Sequence, residues 1–301
     1  MFQVASHPPS PAFLAPGRRD SYSQSSRSSP APLQLPRTLA RPKFDEVSPA
    51  ALAAVAPELA SVPLPFVRQG LRVTAPQMSN GLSIAAASIP KTCPRSQLPS
   101  AISLSAPSRE DVTYPTHILA LSTTAKSATD DALIYPVHGV LLAAHCAKLP
   151  RLPPASPAGH TVPILPLAVP SPSAFALIHT WMYTGRLDAV LAALIPLPTS
   201  FLGSLAAATK PAGGMSLPKA YDDGEAIPAT FTSPSTVHAL AVHVCSVAGG
   251  NVGTLMMHAS HVKELWQNLV ALGVNDAGVW AALDLAWEVV LGSLSVAAAG
   301  Q

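Results

Sequence analysis

The chain has 301 residues, room for one large domain or two small ones, with 49% hydrophobic, 5% aromatic and 11% charged residues. Charge is far below the roughly 25% of ordinary chains, so the core must be rich in Ala, Leu and Val, and 33 prolines keep part of the chain out of regular structure. A net charge of +2 argues against nucleic-acid binding by the folded part, and three widely spaced cysteines, Cys93, Cys146 and Cys245, exclude a disulfide scaffold and fit a reducing compartment.

Residues 1–42 are rich in Ser, Pro and Arg, with Asp20 as their only acid. Such a segment cannot bury enough apolar area to offset its ordering entropy, so a disordered basic tail is expected. SRSSP, with Arg27 and Pro30, fits either a nuclear-import or phosphorylation tail or a plain solvated one. The first twenty residues carry no apolar run of signal-peptide type. Residues 43–78 read as an ordered N-terminal arm: Ser48 caps a short helix with Pro49 in its first turn, and VPLPFV, Val62–Val67, is an extended apolar stretch. Residues 79–110, Ser/Ala/Pro-rich, read as a linker.

From Asp111 the pattern tightens into a core spanning 111–197. His117–Leu121 and Ala132–Val137 read as strands joined by the polar loop TTAKSATDD. HGVLLAAHCAKL reads as a buried helix, and TVPILPLAVP as a third extended run. In SPSAFALIHTWMYTGRLD, Ser171 is an N-cap candidate, Phe175, Ile178 and Met182 form an apolar stripe, and Gly185 stops the helix. LDAVLAALIP follows as another short helix. The uncharged run Ala189–Thr209 is long enough to span a bilayer. Pro196, Pro198 and Gly203 interrupt it, so it reads as a helix followed by a loop, with no membrane expected. Residues 198–232 read as a loop insertion with the acids Asp222, Asp223 and Glu225. A helical part over 233–295 closes the chain: Ser235–Ala248, Val252–Leu272, and a helix from the Asn275 cap to Leu294.

Little of this reads as chemistry. His258, His261 and Glu264 share one edge of the second C-terminal helix at spacings that allow metal ligation, but nothing in the sequence completes the set. His145 and Cys146 are adjacent on a helix, so they point about 100° apart and form no nucleophile–base pair. Ser216-Leu-Pro-Lys219 matches S-x-x-K, yet Pro218 and the nearby glycines put it in a loop and no K-T-G follows. No cofactor is expected, and no enzyme. The Trp266, Trp280 and Trp287 stripe reads as core, or as a partly exposed docking face.

Order along the chain carries the resemblance. A strand pair leads into YPVHGVLLAAHCAKL, then a third strand, then SPSAFALIHTWMYTGRLD. Tyr135, His138, Leu142, Ala143 and Ala144, followed by Ser171, Pro172, Phe175, Tyr183, Thr184, Gly185 and Leu187, resemble the BTB/POZ domain over about 111–195. Residues Pro150, Pro153 and Pro154 depart from that pattern, as does the insertion. Over more of the chain, from about residue 43 to the end, SPAALAAVAPELASVPLPFVRQGLRVTAPQM, YPTHILAL and the two motifs above are similar to the basidiomycete clampless proteins. That resemblance implies an intracellular regulator of clamp-cell formation and dikaryotic growth after mating, in the nucleus and/or cytoplasm.

The expectation is therefore an α+β fold: a BTB/POZ-like core of a small sheet flanked by helices, with extra C-terminal helices. It would act through protein partners, as a homodimer or with a transcription-factor or developmental-pathway partner. Contacts are expected at Phe66 and Val67, with Trp181 and Tyr183 holding the core beside them; His138, Trp181, Tyr183 and Trp266 are also assigned to the interaction site. The alternative is a metal-binding protein or small hydrolase using His258, His261 and Glu264. DNA binding through the Arg-rich tail would show steep salt dependence.

Overall fold

The structure is a computed structural model that describes residues 35–104, 111–124, 131–154, 161–209 and 227–300. The folded unit runs from Arg37 onward. Residues 1–34, SRSSP, the 125–130 part of the polar loop, the S-x-x-K tetrad and the Asp222–Glu225 cluster lie outside the described residues.

The tail boundary expected at residue 42 moves. Leu39 is buried, and Phe44 meets Trp280 edge-on at a ring-centroid distance of 5.6 Å. Residues 37–47 thus form a strap without helix or strand on the folded unit. Helix α1, Pro49–Val55, follows, with Ser48 as its N-cap residue and proline in its first turn, as expected.

The apolar arm is a helix, not an extended stretch. Helix α2 runs Leu64–Ala86, with Pro63 at its cap and Pro65 in the first turn, where a proline costs no hydrogen bond. Residues 79–104, expected as linker, complete α2 and add two short strands, β1 (Thr92–Pro94) and β2 (Ala101–Ser103). Gly81 allows α2 to lie against residues 113–114: a Cβ there would sit 1.8 Å from the Thr113 carbonyl oxygen.

Strands β3 (His117–Thr123), β4 (Asp131–Val137) and β5 (Thr161–Val169) form the centre of a five-stranded sheet of order β1-β4-β3-β5-β2. β3 and β4 pair antiparallel, with Leu119 opposite Tyr135. β5 returns parallel to β3, with Leu119 opposite Leu165. The crossover holds α3, Gly139–His145. β3 is buried along both faces, which explains its unbroken apolar run HILAL. Ile118 and Ala120 join Ile134, Val162 and Ala85 in one cluster, while Leu119 and Leu121 fill the opposite side.

Helix α4, Phe175–Thr184, starts one turn later than the Ser171 cap predicts. It ends at Gly185, whose φ of 62° is the left-handed conformation that glycine adopts without strain. Ser171 instead ties α4 to the C-terminal helices. Its N–H donates to Asn268 Oδ1 at 3.0 Å, and its hydroxyl donates to Glu264 Oε2 at 2.9 Å.

Helix α5, Leu187–Leu194, matches expectation, but the uncharged run continues into a second helix, α6 (Thr199–Thr209), rather than a loop. Pro196 and Pro198 precede α6 and do not break it. The short α7, Ala229–Thr232, closes the expected insertion, with Phe231 edge-on to Phe201 of α6 at 5.5 Å. Helices α8 (Pro234–Val247), α9 (Val252–Leu272) and α10 (Ala277–Ala299) complete the fold. Ser233 caps α8 and Asp276, not Asn275, caps α10. By length and composition α10 could cross a bilayer, but half of its most apolar window is buried within the fold, where it packs on α8, α9 and α5.

Candidate interaction surface

The two motifs read from the sequence meet in one buried knot. His138 precedes α3 and Tyr183 lies in the last turn of α4. The Tyr183 hydroxyl donates to His138 Nδ1 at 2.9 Å and accepts the His138 backbone N–H at 3.1 Å. His138 Nε2 then donates to the Thr113 carbonyl at 3.0 Å, which fixes the tautomer. Burial holds His138 down to about 4, although its bond to Thr113 opposes that shift. Burial also pushes the Tyr183 phenol up. His179 lies beside Tyr183 with ring centroids 5.0 Å apart and the rings tilted by 55°, and it donates to the Pro136 carbonyl. His117 is locked the same way, donating from Nε2 to the Pro153 carbonyl at 2.7 Å.

A third buried histidine, His145, lies edge-on to Trp181 at 5.2 Å. Its Nδ1 has no hydrogen-bond partner among the described residues. Burial, reinforced by Arg68 and Arg72, holds it down to about 3. Arg68 is itself buried and donates from Nε to the Ala144 carbonyl at 2.9 Å. The Cys146 thiol beside it is fully buried and pushed up to about 12, so it is protonated at neutral pH.

This arrangement corrects the expected contact set. Trp181 and Tyr183 hold the core, as expected, but His138 is buried with them and Val67 faces inward at 3% exposure. None of them can touch a partner in the folded chain. Phe66 is 45% exposed, about 100° around α2 from Val67. It heads a stripe that the sequence pattern hid: Phe66, Gly70, Val73, Gln77 and Asn80, at alternating spacings of four and three, are all exposed and all uncharged. Val73 is 77% exposed, and a Cβ added at Gly70 would meet nothing.

Trp266 is half-buried, and its indole N–H donates to the Ala40 carbonyl at 2.9 Å, so the chain's own strap takes part of the expected docking face. Of the expected metal set, Glu264 accepts from Ser171, His258 Nδ1 donates to the Leu194 carbonyl at 3.2 Å, and His261 points to solvent. Among the described residues no cluster of His, Cys, Asp or Glu is placed to hold a metal ion.

Two family models match the chain. The clampless protein 1 N-terminal domain matches residues 42–170, and the clampless protein 1 C-terminal domain matches residues 188–301. The chain belongs to the clampless protein 1 family. That membership ties it to the regulation of clamp formation. In this family member α4 falls between the two matches. Comparisons with curated proteins and with solved structures give no match.

Proposed function

We propose that the chain regulates fungal sexual development, in clamp-cell formation and dikaryotic growth after mating, as a non-enzymatic intracellular protein acting through protein contacts. Family membership supports the biological setting. The observation that carries the mode of action is the uncharged outer stripe of α2, which leaves Phe66 and Val73 in water with an open glycine between them. Large apolar side chains held out together on one helix face favour a helix-to-helix contact, and Gly70 lets a second backbone approach closely. Self-association through this stripe is the simplest use of it. The BTB-like reading is supported by the order of elements: an antiparallel strand pair, a crossover helix, a strand parallel to the first, and the helix pair α4–α5.

The polar side chains of the core argue in the same direction. His117, His138 and His179 each donate to a carbonyl, and Cys146 is protonated and enclosed. These groups are engaged in holding the fold.

The test is solution mass by light scattering on the full chain, with Phe66→Asp and Val73→Asp alongside. A dimer that both substitutions convert to a folded monomer supports the α2 contact. A folded monomer in all three sinks it. In the fungus, a strain carrying Phe66→Asp at wild-type protein level is expected to lose clamp cells.

A further inference from the structure

The strap 37–47 lies in a groove between α9 and α10 as a bound peptide would. It holds no helix or strand and makes no backbone–backbone hydrogen bond to another described residue. Side chains do the anchoring. Leu39 and Val47 are buried, the Ala40 carbonyl accepts the Trp266 indole N–H, and Phe44 packs edge-on against Trp280. The Arg41 guanidinium pairs with Asp284, and Asp45 pairs with Lys148 at 3.9 Å.

Two features make this attachment releasable. Both ion pairs are solvent-exposed, with Arg41 at 43% and Asp284 at 38%, so water and salt screen them. The remaining hold is one hydrogen bond and a few apolar contacts, which places the strap among segments that open without global unfolding. The groove it would uncover contains the tryptophans Trp266 and Trp280, the residue type most enriched at binding hot spots. It also has a sign: Asp284 and Glu288, one turn apart, are the only acids on α10. The strap that fills it sets Arg41 against Asp284, while its acid Asp45 meets Lys148 instead of the α10 acids.

We infer that the α9–α10 groove is a peptide-recognition surface for a partner protein, held closed by the strap as a tethered competitor. The strap itself states the partner's chemistry: a segment with an apolar residue, an arginine two positions on, and an aromatic three positions after that, as in Leu39, Arg41 and Phe44. This inference deepens the protein-contact reading but does not depend on the α2 stripe.

The test uses the full chain. A labelled peptide of residues 37–47 is titrated by fluorescence anisotropy into wild type and into the Arg41→Glu/Phe44→Ala variant. A tethered competitor occupying the groove nine-tenths of the time weakens apparent binding about ten-fold. The variant is therefore expected to bind at least that much more tightly than wild type, and less tightly as salt rises. Adding Asp284→Arg should abolish binding, and a peptide carrying Arg41→Glu should restore it. A peptide with Leu, Arg and Phe at the strap spacing and alanine elsewhere should bind, and its scrambled form should not.

A variant that melts like wild type yet takes up no peptide overturns the inference. If the variant does not fold, trypsin cleavage after Lys43 in the wild-type native state decides. Cleavage with a denaturant dependence well below that of global unfolding is expected, and cleavage only on global unfolding overturns it. A wild-type dimer that becomes monomeric in the strap variant but not in Phe66→Asp would put a second copy's strap in the groove and overturn the partner reading, leaving the α2 contact to its own test.

Discussion

The Tyr183 hydroxyl lies 2.9 Å from His138 Nδ1 and 3.1 Å from the His138 backbone nitrogen, so a single phenol oxygen joins the entry of α3 to the exit of α4. Tyr183→Phe removes that oxygen and leaves a buried N–H and a buried ring nitrogen unpaired. Each unpaired buried group costs about 1–3 kcal/mol. Thermal unfolding should show a clearly lower midpoint with unchanged far-UV spectrum; an unchanged midpoint would mean that the bond contributes nothing.

Acid should destabilise the protein above the range where carboxylates titrate. His138 and His145 titrate at about 4 and about 3 in the fold, against about 6.5 unfolded. The unfolded chain therefore binds more protons between those values. Stability is full above pH 6.5 and falls as pH drops, with each group approaching a loss of about 1.4 kcal/mol per pH unit until its folded value is reached. His117 and His179 are shifted in the same direction. Urea midpoints at pH 7.5 and 5.5 test this, and equal midpoints would refute it.

The Gly81 position admits no side chain. Gly81→Ala drives a methyl into the Thr113 carbonyl, a backbone atom that cannot rotate away. Forced overpacking of this kind costs about 1–3 kcal/mol. The expected result is a loss in that range by denaturant unfolding, while Gly70→Ala, facing open space, should hold or raise stability.

The three thiols should separate by reactivity. Cys93 is half-buried, whereas Cys146 and Cys245 are buried. Native chain treated with iodoacetamide at pH 8 should take up one label quickly, at Cys93 by peptide mass. Fast labelling of Cys146 would contradict its enclosure.

Much of the fold was legible where one period ran long enough. HILAL, ALIYPV and TVPILPLAV announce their strands, and the α9 boundaries are those that the sequence predicts. What was hidden depends on partners far along the chain. Strands β1 and β2 have three residues each, too few to show a period, and exist because Thr92 meets Leu133 and Ala101 meets Pro163. Proline misled twice: Pro63 and Pro65 start α2, and Pro198 lies just ahead of α6, all at places a helix tolerates. The contact residues failed for a related reason. Val67 lies about 100° around α2 from Phe66, and here that turn carries it into the core, while Tyr183 of the YTG motif is buried. The strap left no trace in the pattern because its anchors, Leu39, Arg41 and Phe44, follow the spacing of the groove and not that of any regular element.

Strands β1 and β2 come from one short stretch, yet they lie at opposite margins of the sheet. A single loop therefore hems both edges with strands of three residues, and Pro94 closes one of them with a residue that offers no N–H. Sheets left open at the margin template the addition of foreign strands and, at high concentration, fibrils. Among the described residues this hem covers Asp131–Leu133 of β4 and Thr161–Pro163 of β5, so it shields one end of each outer strand from such additions.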